Sequence, residues 1–118
     1  MFKEELKNLT SRVPGACGAL IVGLDGIPVE KYLAADGVNL EVFSAEYLSL
    51  VKKTIETNRE LGIGSVKEMT ILTESLTAII KAVTPDYFLV FTLVPRGNFG
   101  QARFELTKAA LRLAKEFA

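Results

Sequence analysis

Histidine and tryptophan are absent from this chain of 118 residues, and cysteine occurs once. Without histidine the commonest general base, nucleophile partner and metal ligand is missing, so serine-histidine and cysteine-histidine catalysis are excluded. A lone cysteine closes no disulfide within the chain, which favours a reducing compartment and sets the expectation of a cytoplasmic protein. No apolar run approaches the roughly 20 residues that cross a bilayer. The opening Met1-Phe2-Lys3-Glu4-Glu5-Leu6 mixes charges where a signal peptide needs an apolar stretch. Net charge is lacking too, with 14 basic and 14 acidic side chains. Residues 1–37 carry four basic against five acidic, 38–96 six against seven, and 97–118 four against two. Affinity for phosphate backbones rests on clustered Lys and Arg, so no nucleic-acid partner is expected, and no membrane either.

What is there is a composition of 49% apolar and 24% charged residues, the profile of a compact fold rather than a disordered chain. A chain of this length buries roughly two thirds of its unfolded surface without metal or disulfide. One domain over residues 1–118 is expected.

Phe2, Leu6, Leu9 and Val13 recur at helical spacing within an arc of about 60°, and Pro14-Gly15 ends that first helix. Residues Ala16 to Leu24 contain nothing polar, the mark of a strand buried on both faces. Asp25-Gly26 signals a hairpin, and Ile27 to Leu33 returns as a second strand. Pro28, Glu30 and Lys31 make that strand an edge, because proline cannot donate to a central ladder. A loop over Ala34 to Asn39 leads to a long helix from about Leu40 or Ser44 to Leu61, closed by Gly62 and Gly64. Strands follow at Val66–Thr73, Leu76–Val83 and Tyr87–Val94, with turn residues at Glu74-Ser75 and Thr84-Pro85-Asp86. Pro95 to Asn98 breaks the pattern, and a last helix runs from about Phe99 to Phe117.

The two wholly apolar strands need neighbours on both sides. Joining the hairpin and the three-stranded meander at those strands gives a five-stranded antiparallel sheet in the order 2-1-5-4-3. The central strands have no polar face, so helices must cover both faces. The expected architecture is an α+β sandwich with the long helix on one face and the other two helices on the opposite one.

Two features exceed what one copy needs. Leu40, Phe43, Tyr47, Leu48, Leu50, Val51, Ile55 and Leu61 span an arc of about 160° on the long helix, where packing on one sheet takes roughly 100°. Asn58 and Thr54 sit inside that stripe, and a polar residue there can set the register of paired helices. The other reading is a broad footprint on the chain's own sheet, with Asn58 near a fraying end. At the third strand, Met69-Thr70-Ile71-Leu72 leaves a β-prone edge without the blunting that Pro28 gives the second. Pairing two copies of this strand continues the sheet and brings two long helices together. A homodimer is therefore expected, with Leu48, Val51, Ile55, Asn58, Met69 and Ile71 at its interface.

Residues of the kinds that carry chemistry are few. Cys17 lies in the apolar first strand with no histidine to lower its pKa, so an inert thiol is expected. Gly97-Asn98-Phe99-Gly100 opens the last helix beside Arg96, an arrangement that suits an anion, but Asn98 as N-cap is the stronger expectation. No Gly-Lys-Ser/Thr phosphate loop occurs, and Gly62-Ile63-Gly64-Ser65 ends a helix rather than starting one. Glu56 and Glu60 stand one turn apart without further ligands, so neither metal nor cofactor is expected. Phe104 and Leu111 fall off the main stripe of the last helix and are expected to touch the first helix. No catalytic residue is assigned.

Gly18-Ala19-Leu20-Ile21-Val22-Gly23-Leu24-Asp25-Gly26-Ile27-Pro28-Val29 resembles the first hairpin of the roadblock / dynein light-chain family. Asn98-Phe99-Gly100-Gln101-Ala102-Arg103-Phe104-Glu105-Leu106 is similar to the start of that family's last helix, and the order of elements agrees over essentially the whole chain. The resemblance implies a profilin-like fold and a homodimer with a sheet continuous across the two-fold axis. It also implies a partner, a small Ras-like GTPase whose nucleotide cycle the dimer tunes without inserting an arginine finger. Stand-alone prokaryotic members resemble the polarity regulator that acts as a GTPase-activating protein. The paired long helices would form the platform, which here presents Lys52, Lys53, Glu56, Arg59 and Glu60. The rival expectation is a structural adaptor in a motor, motility or signalling assembly, indifferent to nucleotide. A small-molecule sensor on a profilin-like sheet is a third; the apolar central strands offer it no polar pocket. Fold alone does not choose among them.

Overall fold

Strand β1 (Ala16–Gly23) is buried along all but its first residue, because it has a neighbour on each side and a helical layer on each face. The structure, a computed structural model, describes residues 1–117. Its elements are α1 (Phe2–Ser11), β1, β2 (Pro28–Leu33), α2 (Leu40–Leu61), β3 (Glu68–Leu72), β4 (Thr77–Thr84), β5 (Tyr87–Leu93) and α3 (Phe99–Ala114), the last followed by a 3₁₀ turn over Lys115–Phe117. The sheet order is β2-β1-β5-β4-β3 with every pair antiparallel, as expected from the sequence.

Two cores flank the sheet. Leu6, Leu9, Ile21, Ile79, Phe91, Leu106 and their neighbours form the first, between the sheet and α1 with α3. Leu20, Val22, Leu40, Phe43, Leu48, Val51, Ile80 and Phe88 belong to the second, beneath α2. Alternation along β1 sends Ile21 one way and Leu20 and Val22 the other, so one strand serves both. Gly18 sets how closely α2 approaches: a Cβ there would lie 2.9 Å from Leu40 Cδ1 and 3.1 Å from Leu33 Cδ2.

Helix ends follow local chemistry. Asn39 Oδ1 accepts the Val42 N–H at 3.1 Å, and Asn98 Oδ1 accepts the Gln101 N–H at 2.9 Å. Asn98 thus caps α3, as its position predicts. Gly62 closes α2 at φ 67°, with the N–H groups of Gly62 and Ile63 donating to Arg59 and Asn58 carbonyls. Asn58 therefore sits in a well-capped last turn, not at a fraying end.

The two sheet edges differ. Along β2, Ala34 N–H bonds Cys17 O, so alternation turns the Lys31 N–H outward, where the Glu30 carboxylate accepts it at 3.1 Å. Along β3, the Ala82–Lys67 and Thr73–Leu76 bonds fix the opposite phase. Met69 and Ile71 bond inward to β4, while the backbone groups of Glu68, Thr70 and Leu72 face out with no partner among the described residues. One outward donor of β2, at Lys31, is thus taken by a side chain, whereas among the described residues none of β3 is.

Two sequence expectations change here. β3 begins at Glu68 rather than Val66, because Val66 is buried in the core beneath α2 before pairing starts. Phe104 and Leu111 do not touch α1: they are 61% and 67% exposed on the outer side of α3. α1 and α3 share the apolar core below them, and polar ties run between them from Arg112 to Glu5 at 2.6 Å and from Arg12, just past α1, to the buried Glu105 at 3.8 Å.

Candidate protein-interaction surface

The surface that sequence reasoning singled out lies on α2 and β3. Lys31 of β2 and Glu41 in the first turn of α2 form an ion pair at 2.8 Å, so the Glu41 flank of the helix looks toward β2. At 100° per residue, Leu50 and Leu61 stand about 180° and 160° around from Glu41. Their flank therefore looks toward the bare β3 edge. Leu50 is 51% exposed and Leu61 65%. The apolar arc of α2 is thus wider than its own sheet can cover, and the uncovered part lies on the unpaired side. Leu50 and Tyr47, with Glu46 and Ser49, line an open hollow of about 450 Å³ along this flank.

Among the six residues expected at a dimer interface, Leu48 and Val51 are corrected. They are 1% and 0% exposed in this chain's own core and have no surface left for a second copy. Ile55, Asn58, Met69 and Ile71 are half-buried at the margins of that core and keep part of their surface. Leu50, Leu61 and Leu72 are the accessible apolar side chains that the sequence-based interface missed; Leu72 is 72% exposed on β3. Leu50 and Leu61 belong to the apolar stripe already, and only the Lys31–Glu41 orientation shows which part of it is outside.

Lys52, Lys53, Glu56, Arg59 and Glu60 are all exposed, and among the described residues none takes part in an ion pair. They do not form one cluster. Lys52 and Arg59 fall on the Glu41 flank, while Glu56, Glu60 and Lys53 lie about 60°, 100° and 120° further round. Unpaired charges of mixed sign suit recognition and steering rather than chemistry.

Burial raises the Cys17 thiol pKa, and its Sγ faces the Gly15 carbonyl at 3.8 Å. The hydrogen bond from Arg112 to Glu5 raises the guanidinium pKa, a structural tie between α1 and α3. Among the described residues no cluster of three or more His, Cys, Asp or Glu could hold a metal, and no helix is long and apolar enough to cross a membrane. An open hollow of about 550 Å³ lies between Lys31 and Leu33 of β2, the loop that follows, and Leu40 and Glu41 of α2.

Residues 2–92 match the Roadblock/LC7 domain family. This chain belongs to that family. The match of the Roadblock/LC7 domain stops before α3, so the likeness of Asn98–Leu106 to the family's last helix is not part of it. Among solved structures, MglC from Myxococcus xanthus is 30% identical over 96% of each chain, with a TM-score of 0.72. The gliding protein MglB from Thermus thermophilus is 18% identical over 98% of this chain and 88% of its own, with a TM-score of 0.86. Profilin II from Acanthamoeba castellanii covers 100% of both chains at 16% identity and a TM-score of 0.66, so the Roadblock/LC7 domain here is profilin-like in fold. No curated protein matches the sequence.

Proposed function

We propose that this Roadblock/LC7 domain is a homodimeric regulator that binds a small Ras-like GTPase and tunes its nucleotide cycle. One observation carries the reading: the bare β3 edge and the uncovered Leu50–Leu61 flank of α2 face the same side. A second copy meeting that side satisfies the outward backbone groups of Glu68, Thr70 and Leu72 and covers the apolar flank. The register that uses every outward group pairs Thr70 with Thr70 of the second copy, and Glu68 with its Leu72. Two α2 helices then lie together on one face, presenting Lys53, Glu56 and Glu60 beside the two-fold axis and Lys52 and Arg59 farther out.

Such a platform favours whichever conformation of the GTPase it binds best, and shifts that equilibrium by the difference in affinity and no more. If hydrolysis accelerates, the catalytic groups belong to the GTPase and this protein orders them. The family relationship and the likeness to MglC and MglB support this class of partner. The test is capture of a Ras-like GTPase on the immobilised domain, loaded in turn with a GTP analogue and GDP. Preference for one state supports regulation, and equal capture points to the adaptor role. Loss of acceleration in Arg59→Ala with binding intact would argue for a finger instead.

A further inference from the structure

Leu72, 72% exposed, is the most exposed apolar side chain of the sheet among the described residues. It lies on the face opposite α2. In the β3–β4 ladder Glu68, Thr70 and Leu72 stand against Lys81, Ile79 and Thr77, and Ile79 belongs to the core under α1 and α3. These three side chains therefore share the α3 side of the bare edge, while Met69 and Ile71 take the α2 side. The Leu50–Leu61 flank, across the sheet, leaves Leu72 uncovered.

At the other end of β3, helix α3 reaches down to the same edge. Arg103 Nε donates to Glu68 Oε2 at 2.7 Å, and Lys81 Nζ lies 3.7 Å from Glu68 Oε1. The Phe99 ring backs the guanidinium, its centroid 5.8 Å from Cζ. Arg103 is thus held on two sides yet half exposed, while the Glu68 side chain is largely buried. Within one copy Leu72 stands four residues, about 13 Å, from Glu68.

In the register centred on Thr70, which rests on the dimer proposed above, Leu72 of the second copy comes directly opposite Glu68. The two Cβ atoms are then about 5 Å apart. Docking strips water from the Glu68 carboxylate and sets an apolar side chain beside it. With Lys81 alone to answer it, that charge would oppose association. Arg103 matches the charge, and its stem offers apolar surface to the incoming leucine. We infer that Arg103 is a positioning residue of the dimer seam, neutralising Glu68 and covering Leu72 of the second copy with its stem. The contact occurs twice per dimer, so self-pairing depends on α3 as well as on α2 and β3.

Sedimentation equilibrium of the full chain is the test, and the parent is expected to be a dimer. Arg103→Ala should raise the dimer dissociation constant at least about tenfold. In a Glu68→Gln background the same change should cost no more than about threefold, because no carboxylate is left to neutralise. Leu72→Ala should also weaken the dimer, and its combination with Arg103→Ala should fall short of the product of the two single losses. In a Thr70→Pro background, which keeps the chain single, Arg103→Ala should barely move the urea midpoint, and the two substitutions should add. An unchanged dissociation constant in Arg103→Ala, an equal loss in the Glu68→Gln background, or single losses that multiply in full overturns this inference while the dimer stands. A parent that sediments as one copy overturns the dimer, and this inference with it.

Discussion

Glu41 of α2 is paired with Lys31 of β2 at 2.8 Å, and this contact shows which way the long helix faces. An exposed pair of this kind adds little to stability. Its value is as a geometric marker. With the Glu41 flank toward the β2 edge, the apolar Leu50 and Leu61 lie on the side of the bare β3 edge, and two separate oddities become one surface.

The first prediction concerns that edge. The Thr70 N–H points away from β4, so Thr70→Pro removes a donor that the single copy does not use. The variant should keep its circular dichroism and run in light scattering as a 12.9 kDa particle, where the parent runs at about twice that mass. Ile71→Lys, placing charge at the same margin, should also yield monomers.

The register can be tested by cross-linking. In a Cys17→Ser background, Thr70→Cys should oxidise to a disulfide-linked dimer with copper phenanthroline. Leu72→Cys should lag far behind, because two residues per copy from the axis leaves the thiols about four residues, or some 13 Å, apart. Equal rates at the two positions would rule out an axis at Thr70.

On α2 the apolar flank and the charged face should separate by function. Leu50→Ser with Leu61→Ser should raise the dimer dissociation constant at least about tenfold, by removing apolar contact from the seam. Lys52→Glu, farther from the two-fold axis, should leave dimerisation unchanged. It should slow association with the GTPase, and more so at low salt than at high, as measured by surface plasmon resonance.

Ser44 gives a prediction about stability alone. It is buried on the inner face of α2 at 1% exposure, and its Oγ has no hydrogen-bond partner among the described residues. Ser44→Ala removes an unsatisfied hydroxyl and improves helix propensity, so urea unfolding should show a gain of about 1 kcal/mol.

Cys17 predicts a pH dependence. Burial raises its folded-state pKa, so the native state holds the thiol proton more tightly than the unfolded chain does. The stabilisation is complete below the unfolded thiol pKa of about 8.5 and is lost as pH rises through the folded value. Cys17→Ala should flatten that alkaline decline in urea midpoints.

Much of the architecture was legible because the relevant signals are local. The unbroken apolar run from Ala16 and the alternation around Pro28 assign a central strand and an edge strand. Asn98 and Gly62 mark helix ends through their own side-chain and backbone chemistry. The errors share a cause. Leu48 and Val51 look the same in a helical stripe as Leu50 and Leu61, since periodicity reports that a face is apolar without saying what covers it. Angle alone assigns Phe104 and Leu111 to the α1 contact, but Arg12, Glu105 and Arg112 tie α1 to α3.

The amino-acid order by itself determined the number and kind of elements, the strand order, and the exclusion of histidine-based chemistry, because these follow from residue identity and short-range periodicity. Tertiary structure alone decided which flank of α2 remains uncovered and that the Lys31 N–H is plugged while Thr70 is bare. It also decided that α3 turns Phe104 and Leu111 outward. Those facts depend on how the helices are rotated and how the ladders are phased, and rotation and phase are set by packing between segments distant in sequence.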